Sequence, residues 1–291
     1  VYPAMVSWDQ QGDDIEGEAA SDESGHTVSL SSDGSTVAIG APWNQGNGFD
    51  SGHVRIYSWN SDTDSWEQQG DDIDGEAAGD EVGHSVSLSS DGSTVAIGAP
   101  WNQGNGTSSG HVRIYSWNSD TDSWEQQGGD IDGEAATDES GHSVSLSSDG
   151  TTVAIGAPYK DDNGSNSGQV RIYSWNSDTS SWEQQGGDID GEAEDESGYS
   201  VSLSSDGSAV AVGAPFNDGN GTSSGHVRIY SWNSDTDSWE QQGGDIDGEA
   251  LGDQSGWSVS LSSDGNTVAI GAPNNDGNGG NSGHVRIYYW N

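Results

Sequence analysis

The chain has 291 residues, 49 of them acidic against six basic, for a formal charge of -43, and it contains no cysteine. That charge excludes a phosphate backbone as partner and sets the chain against anionic membrane surfaces, and the missing thiols exclude disulfides and thiolate metal sites. No apolar run is long enough for a membrane span, so direct insertion is not expected. The acidity suits cations, a basic protein partner, or solubility in salty water. Leu, Ile, Val and Phe total only 41 residues, which with such a charge would ordinarily signal disorder. Here they sit at fixed alternating positions, and the 13 Trp and 45 Gly suit tight β-structure.

In chain order, the opening VYPAMVSW reads as the start of a mature or excised piece of a larger protein, and Val6 to Gly12 (VSWDQQG) reads as a strand with no partners before it. Five near-identical copies follow. Gly-Ala-Pro marks them at Gly40, Gly98, Gly156, Gly213 and Gly271, offset by 58, 58, 57 and 58 residues, the mark of a repeat architecture. The copies are taken as 16–73, 74–131, 132–189, 190–246 and 247–291 plus 1–15, within one domain spanning 1–291.

Each copy holds four strand-like runs. In the second, His84 to Leu88 alternates Val86 and Leu88 with serines, and Asp91-Gly92 makes a tight hairpin. Thr94 to Ala99 places Val95 and Ile97 opposite Ala96 and Gly98. His111 to Trp117 places Val112 and Ile114 opposite Arg113, Tyr115 and Trp117, and Trp124 to Gln127 is the fourth run. An acidic loop, Gly128 to Gly141, leads to the next copy. Sheets carrying large residues on one face and small ones on the other stack around an axis. The expected fold is therefore all-β, a five-bladed β-propeller of four antiparallel strands per blade. The last copy ends at Trp290-Asn291 after its third strand, so residues 6–15 are expected to supply its missing outer strand and close the ring.

Gly-x-Ser/Thr-Val, then Ile-Gly-Ala-Pro or Val-Gly-Ala-Pro, then Gly-x-Val-x-Ile-Tyr, resemble the FG-GAP repeat, the propeller unit of integrin α-subunit heads and of many surface proteins. The phenylalanine of that landmark is replaced by Ser24, Val82, Ser140, Ser197 and Ser255. The family's calcium hairpin is shortened to Ser-Ser-Asp-Gly, as at Ser89 to Ser93, and one carboxylate cannot supply the six to eight oxygens calcium takes. The resemblance implies an extracellular or cell-surface binding, adhesion or structural module, with a protein or glycan ligand.

The acidic loops are the metal candidates, with Ca²⁺ as the cofactor they would take: Asp72, Asp74, Glu76, Asp80 and Glu81; Asp130, Asp132, Glu134, Asp138 and Glu139; Asp188, Asp190, Glu192, Asp195 and Glu196. Solvated loops, or pairing with the single Arg of each copy, account for the same pattern. The loops after Gly-Ala-Pro offer aromatic and amide groups to a ligand at Trp43, Asn44, Trp101, Asn102, Tyr159, Phe216, Asn217 and Asn274, where packing between blades is the plainer use. Asn105, Asn163 and Asn220 open glycosylation triplets. His26, His84 and His142 become Tyr199 and Trp257 in the later copies, as at a packing position that accepts any ring. Near-interchangeable copies offer no differentiated acid, base and nucleophile, so no enzyme is expected. A multivalent lectin is the alternative, and a consensus-like or engineered array with no ligand is a further one.

Overall fold

The computed structural model describes residues 8–291, which contain 23 strands and no helix. The first sheet comprises β1 (Thr27–Leu30), β2 (Thr36–Ala41), β3 (His53–Asn60), β4 (Ser65–Gln68) and the short β5 (Ile73–Asp74). The second repeats it with β6 (Ser85–Leu88), β7 (Thr94–Ala99), β8 (His111–Asn118), β9 (Ser123–Gln126) and β10 (Ile131–Asp132). The third runs from β11 (Ser143–Leu146) to β15 (Ile189–Asp190), and the fourth from β16 (Ser200–Leu203) to β20 (Ile246–Asp247). The fifth has three strands, β21 (Ser258–Leu261), β22 (Thr267–Ala272) and β23 (His284–Tyr289). Within every sheet neighbouring strands are antiparallel, and the first strands of successive sheets lie against one another. The architecture is that of propeller blades.

The four expected runs fall on strands in the first four sheets, and three of them do in the fifth. The fifth, two-residue strand was expected as loop. Ile131 and Asp132 pair with Val112 and His111, so the head of the acidic loop is an added strand that buries Ile131. The Asp-Gly hairpin forms as its chemistry dictates: Asp91 Oδ1 accepts from the Ser93 amide at 3.0 Å and the Ser89 hydroxyl at 2.7 Å. Gly92 takes a φ of 71°, a region glycine enters without steric cost.

Register explains the stacking. Ile97 lies opposite Arg113 and Val95 opposite Tyr115, while Ala96 lies opposite Ile114 and Gly98 opposite Val112. Val86, Leu88, Val95 and Ile97, with Tyr115, therefore share one face, which packs on Ala38, Val54, Ile56 and Ile73 of the preceding sheet. Ala96, Val112 and Ile114 form the other face, packed on Leu146, Val153 and Ile155 of the next. The Gly of Gly-Ala-Pro sits where blades approach most closely. A Cβ on Gly98 would collide with the carbonyl oxygen of Gly141 in the following blade.

Residues 8–15 form no strand, and Val6 and Ser7 of the expected closing strand lie outside the described residues. The segment instead packs on the first sheet. The Trp66 indole donates to Gln11 O and Arg55 to Glu16 O, as Trp124 donates to Gln69 O and Trp182 to Gln127 O further along. Val28 and Ile287, on the outer faces of the first and last sheets, are 65% and 70% exposed.

Candidate functional site

Two carboxylate-rich zones lie on the side of the sheets that carries the acidic and Gly-Ala-Pro loops. The inner zone is built by the recurring sequence Glu-x-Gly-ring: Glu23 to His26, Glu81 to His84, Glu139 to His142 and Glu196 to Tyr199, with Gln254 to Trp257 in the last copy. Its rings come from the residue just before, or at, the start of each first strand, where the sheets converge. His26, His84, His142, Tyr199 and Trp257 follow one another at centroid spacings of 5.4, 5.2, 4.7 and 4.7 Å. Trp101 meets His84 edge-on at 4.9 Å, and Trp43 meets His26 likewise at 5.0 Å. Tyr159 and Phe216 stand beside His142 and Tyr199 at 6.4 and 6.3 Å. The expected packing role of the His and the ring-bearing loops thus resolves into a single aromatic arc.

Glu81, Glu139 and Glu196 sit behind that arc, half-buried, each with φ of 53°. A left-handed conformation at a non-glycine residue costs of order 1–3 kcal/mol and marks places where the surroundings overdetermine the backbone. Here those surroundings are explicit. The Glu139 amide donates to Ser108 O at 3.1 Å and the Ser140 amide to Ser109 O at 3.0 Å, which pins the glutamate between the two loops. Burial pushes all three carboxyls up to about 7. At Glu139 the charges of Glu196 and Glu81 add to burial, and a bond from Trp101 works against them. Burial pushes His84 down to about 3, assisted by His142 and His26, and His142 down to about 4. Both imidazoles are therefore neutral at pH 7. Their Nδ1 atoms, and Oε2 of Glu196, are buried with no hydrogen-bond partner, and unpartnered buried polar atoms are rare enough to need a cause.

The outer zone holds the remaining sequence candidates. Arg113 donates from Nε and Nη2 to the two oxygens of Asp130 at 3.0 Å each, and also pairs with Glu76. Arg228 repeats this with Asp245 at 2.9 Å on both oxygens and with Glu192 at 2.6 Å. Burial works to raise Asp130, but the bonds from Arg113 and Gln126 prevail and hold it below the usual carboxylate range. Acidic clusters able to take a metal ion do occur: Glu18, His53 and Asp72; Glu76, His111 and Asp130; His226, Asp245 and Asp247; Glu134, Asp162 and Asp188, each set with donor atoms within 4.8 Å of one another. Asp74, Asp132 and Asp190 lie on the short added strands beside them.

Between the zones, Asp80, Asp138 and Asp195 are buried and staple their own loops. Asp138 accepts from the Ala135 amide at 2.8 Å, Asp80 from the Ala77 amide at 2.9 Å and Asp195 from the Glu192 amide at 3.1 Å. Asn44, Asn102 and Asn217 are buried too, and Asn44 and Asn217 donate to Asp22 and Asp195. Asn274 donates to Gln254. Asn105, Asn163 and Asn220 spend their Nδ2 on Gly133 O, Gly191 O and Gly248 O at 2.9, 3.2 and 2.9 Å. A glycan on any of them would leave a single Nδ2 hydrogen to keep that bond.

The chain matches the FG-GAP repeat at residues 73–115, 131–173, 188–230 and 246–288, more than half of its length, and it belongs to the FG-GAP repeat family, as a β-propeller protein. No curated protein matches it in sequence. Among solved structures it is similar to a periplasmic gluconolactonase of Pseudomonas aeruginosa (15% identity, TM-score 0.55, 84% of this chain and 63% of that one). It is also similar to a 6-phosphogluconolactonase, so described on putative grounds, of Bacteroides uniformis (11%, 0.51, 91% and 80%), and to the hydrazine synthase of Kuenenia stuttgartiensis (12%, 0.55, 90% and 70%). The chain spans less than two thirds of the length of the first of these. At such identities the likeness is one of fold. The expectation of a non-enzymatic adhesion, lectin or ligand-free module is corrected to this extent: propellers named as lactonases share this architecture, so the fold gives no ground for a non-enzymatic module.

Proposed function

We propose that the inner zone is the active site of a hydrolase that opens a neutral, lactone-type cyclic ester. The observation that carries the proposal is the trio Glu81, Glu139 and Glu196, poised at about 7 against an aromatic wall. A base titrating near the working pH is the one best placed to move protons in a transition state. Glu139, flanked by the other two, takes a proton from water as its oxygen bonds to the ester carbonyl carbon. The ring C–O bond then breaks, and the proton passes to the departing ring oxygen, leaving an open hydroxy acid. Trp101 and Tyr159, at the start of the loops after Gly-Ala-Pro, cover the apolar face of the ring.

A neutral substrate is favoured over a phosphorylated one on charge. The net charge is -43, and the Arg and Lys side chains are all engaged with carboxylates or backbone carbonyls. The same proposal puts the protein outside the cell, where an acidic surface keeps a chain soluble in salt, and reads the outer clusters as structural cation sites for which Ca²⁺ is the natural occupant. The test is pH-stat hydrolysis of gluconolactone and its 6-phosphate over pH 5 to 9. Acceleration of the neutral lactone, rising with a pKa near 7, is expected. No rate above buffer for either compound sinks the proposal.

A further inference from the structure

The fifth sheet leaves two places open that the other blade interfaces fill. Where successive sheets meet, a tryptophan of the outer strand stands over a glycine turn of the sheet before: Trp124 over Gly70, Trp182 over Gly128 and Trp239 over Gly186. Each indole donates at 2.9 Å to the carbonyl beside that turn, of Gln69, Gln127 and Gln185. Between the fourth and fifth sheets no tryptophan of an outer strand takes this place among the described residues. A cavity of about 160 Å³ lies there, lined by Ile229, Gln242, Gly243, Ile246, Tyr288 and Trp290. The second open place is at Arg286. Arg113 and Arg228 donate from Nε to Asp130 and Asp245, whereas Nε of Arg286 is buried without a partner.

Both missing groups occur in one segment. Ser7 to Ile15, SWDQQGDDI, differs from Ser65 to Ile73, SWEQQGDDI, at a single position, so Trp8 and Asp14 are the counterparts of Trp66 and Asp72, and one repeat further on of Trp124 and Asp130. The turn of this segment is already formed. Gln10 donates to Asp14 at 2.9 Å, as Gln68, Gln126, Gln184 and Gln241 do to Asp72, Asp130, Asp188 and Asp245, and Trp8 is fully exposed. The open sheet faces match in the same way. Val28 and Leu30 lie on the large-residue face of the first sheet, Val285 and Ile287 on the small-residue face of the last, and all four are more than half exposed. Inside the molecule their counterparts pack together, Val86 and Leu88 with Val54 and Ile56. Four repetitions of one blade interface leave these two faces uncovered, so a fifth repetition of the same geometry has to be met by another molecule.

We propose that copies of this chain associate head to tail: the first sheet of one copy, with residues 8–16, docks on the fifth sheet of the next, Trp8 entering the cavity beside Gly243 and Asp14 reaching Nε of Arg286. Two unlike faces in contact leave one of each free, so such a dimer extends to a ring or a filament. Each copy carries a charge of -43, and the apolar contact forms against a repulsion that salt screens. The proposal does not depend on the hydrolase reading.

The test is sedimentation velocity of the full chain over a range of concentration and salt. The wild-type chain is expected to self-associate, more tightly as salt rises. Leu30→Glu blocks one face and Ile287→Glu the other, both at exposed positions. Each variant alone is expected to be monomeric, and their equimolar mixture to give a dimer and nothing larger, through the two unaltered faces. Trp8→Ala is expected to raise the dissociation constant by about 30-fold, as the loss of an aromatic anchor from its pocket does. The proposal is overturned if the wild-type chain stays monomeric at high salt, whether its segment folds back onto its own fifth sheet or the faces stay bare, or if the mixture is no larger than its components. If circular dichroism shows either glutamate variant unfolded, Trp8→Ala decides, and association as tight as wild type overturns the proposal.

Discussion

Asp130 and Glu139 belong to the same acidic segment, nine positions apart, and their fates differ as much as two carboxylates in one loop can. Asp130 takes both arms of Arg113 and is held ionised below the usual range. Glu139 pairs with no cation among the described residues; burial, then the charges of Glu196 and Glu81, push it up to about 7. In a chain with 49 acidic residues and five arginines, what a carboxylate can do depends on whether an arginine reaches it. For Asp130 the result is a fixed ion pair; for Glu139 it is a base that titrates near neutral pH.

The largest expected effect sharpens the comparison on its inner side. Glu139→Gln should lower kcat for the neutral lactone by about 10²- to 10⁴-fold, the range typical of a lost general base, with thermal unfolding close to wild type. An unchanged rate would assign Glu139 no chemical role. On the outer side, Arg113→Ala leaves Asp130 and Glu76 unpaired. Removing one partner of a fully buried pair costs about 3–5 kcal/mol. Glu76 is largely exposed and Asp130 partly so, and solvent screening reduces this to about 1–2 kcal/mol. Urea unfolding should register that loss while the pH profile of hydrolysis stays in place.

The pH dependence of stability sets two kinds of inner-zone group against each other. The three glutamates are raised from 4.5 to about 7 in the fold, so the folded chain holds more protons there than the unfolded one. Their contribution is present at low pH and lost as pH climbs from about 4.5 through 7. His84 and His142, lowered from 6.5 to about 3 and about 4, act oppositely and cost stability as pH falls below 6.5. Replacing Glu81, Glu139 and Glu196 together by Gln should therefore give a protein whose stability relative to wild type grows as pH rises from 4.5 to 7. Denaturant midpoints at several pH values measure this, and a constant difference would contradict the buried-carboxylate account. The smallest effect belongs to Glu192→Gln. Its pair with Arg228 is exposed on the carboxylate side, and exposed pairs contribute about 0.2–1 kcal/mol, close to the resolution of a melting curve.

The inner site was half legible in the chain. Glu81, Glu139 and Glu196 stand out as acidic residues, and the rings three positions later recur visibly. Asp138 and Glu139 are neighbours, however, and nothing in their order says that one caps its own loop through the Ala135 amide while the other faces the rings. That division follows from the left-handed turn at Glu139, imposed by the loop arriving from after Gly-Ala-Pro. Nothing in the chain order says that Lys160 gathers Glu134, Asp138 and Asp162 around its ammonium.

The 58-residue period, the alternation of Val and Ile with Ala and Gly, and the Asp-Gly turns determine by themselves that this chain forms repeated antiparallel sheets with one large-residue and one small-residue face, because strand periodicity and turn chemistry are local. Tertiary structure alone decided the rest: that Ile131 and Asp132 add a strand, that residues 8–15 pack on the first sheet, and which carboxylates find an arginine. Burial and charge pairing are set by residues a whole repeat away, and no local pattern records that distance.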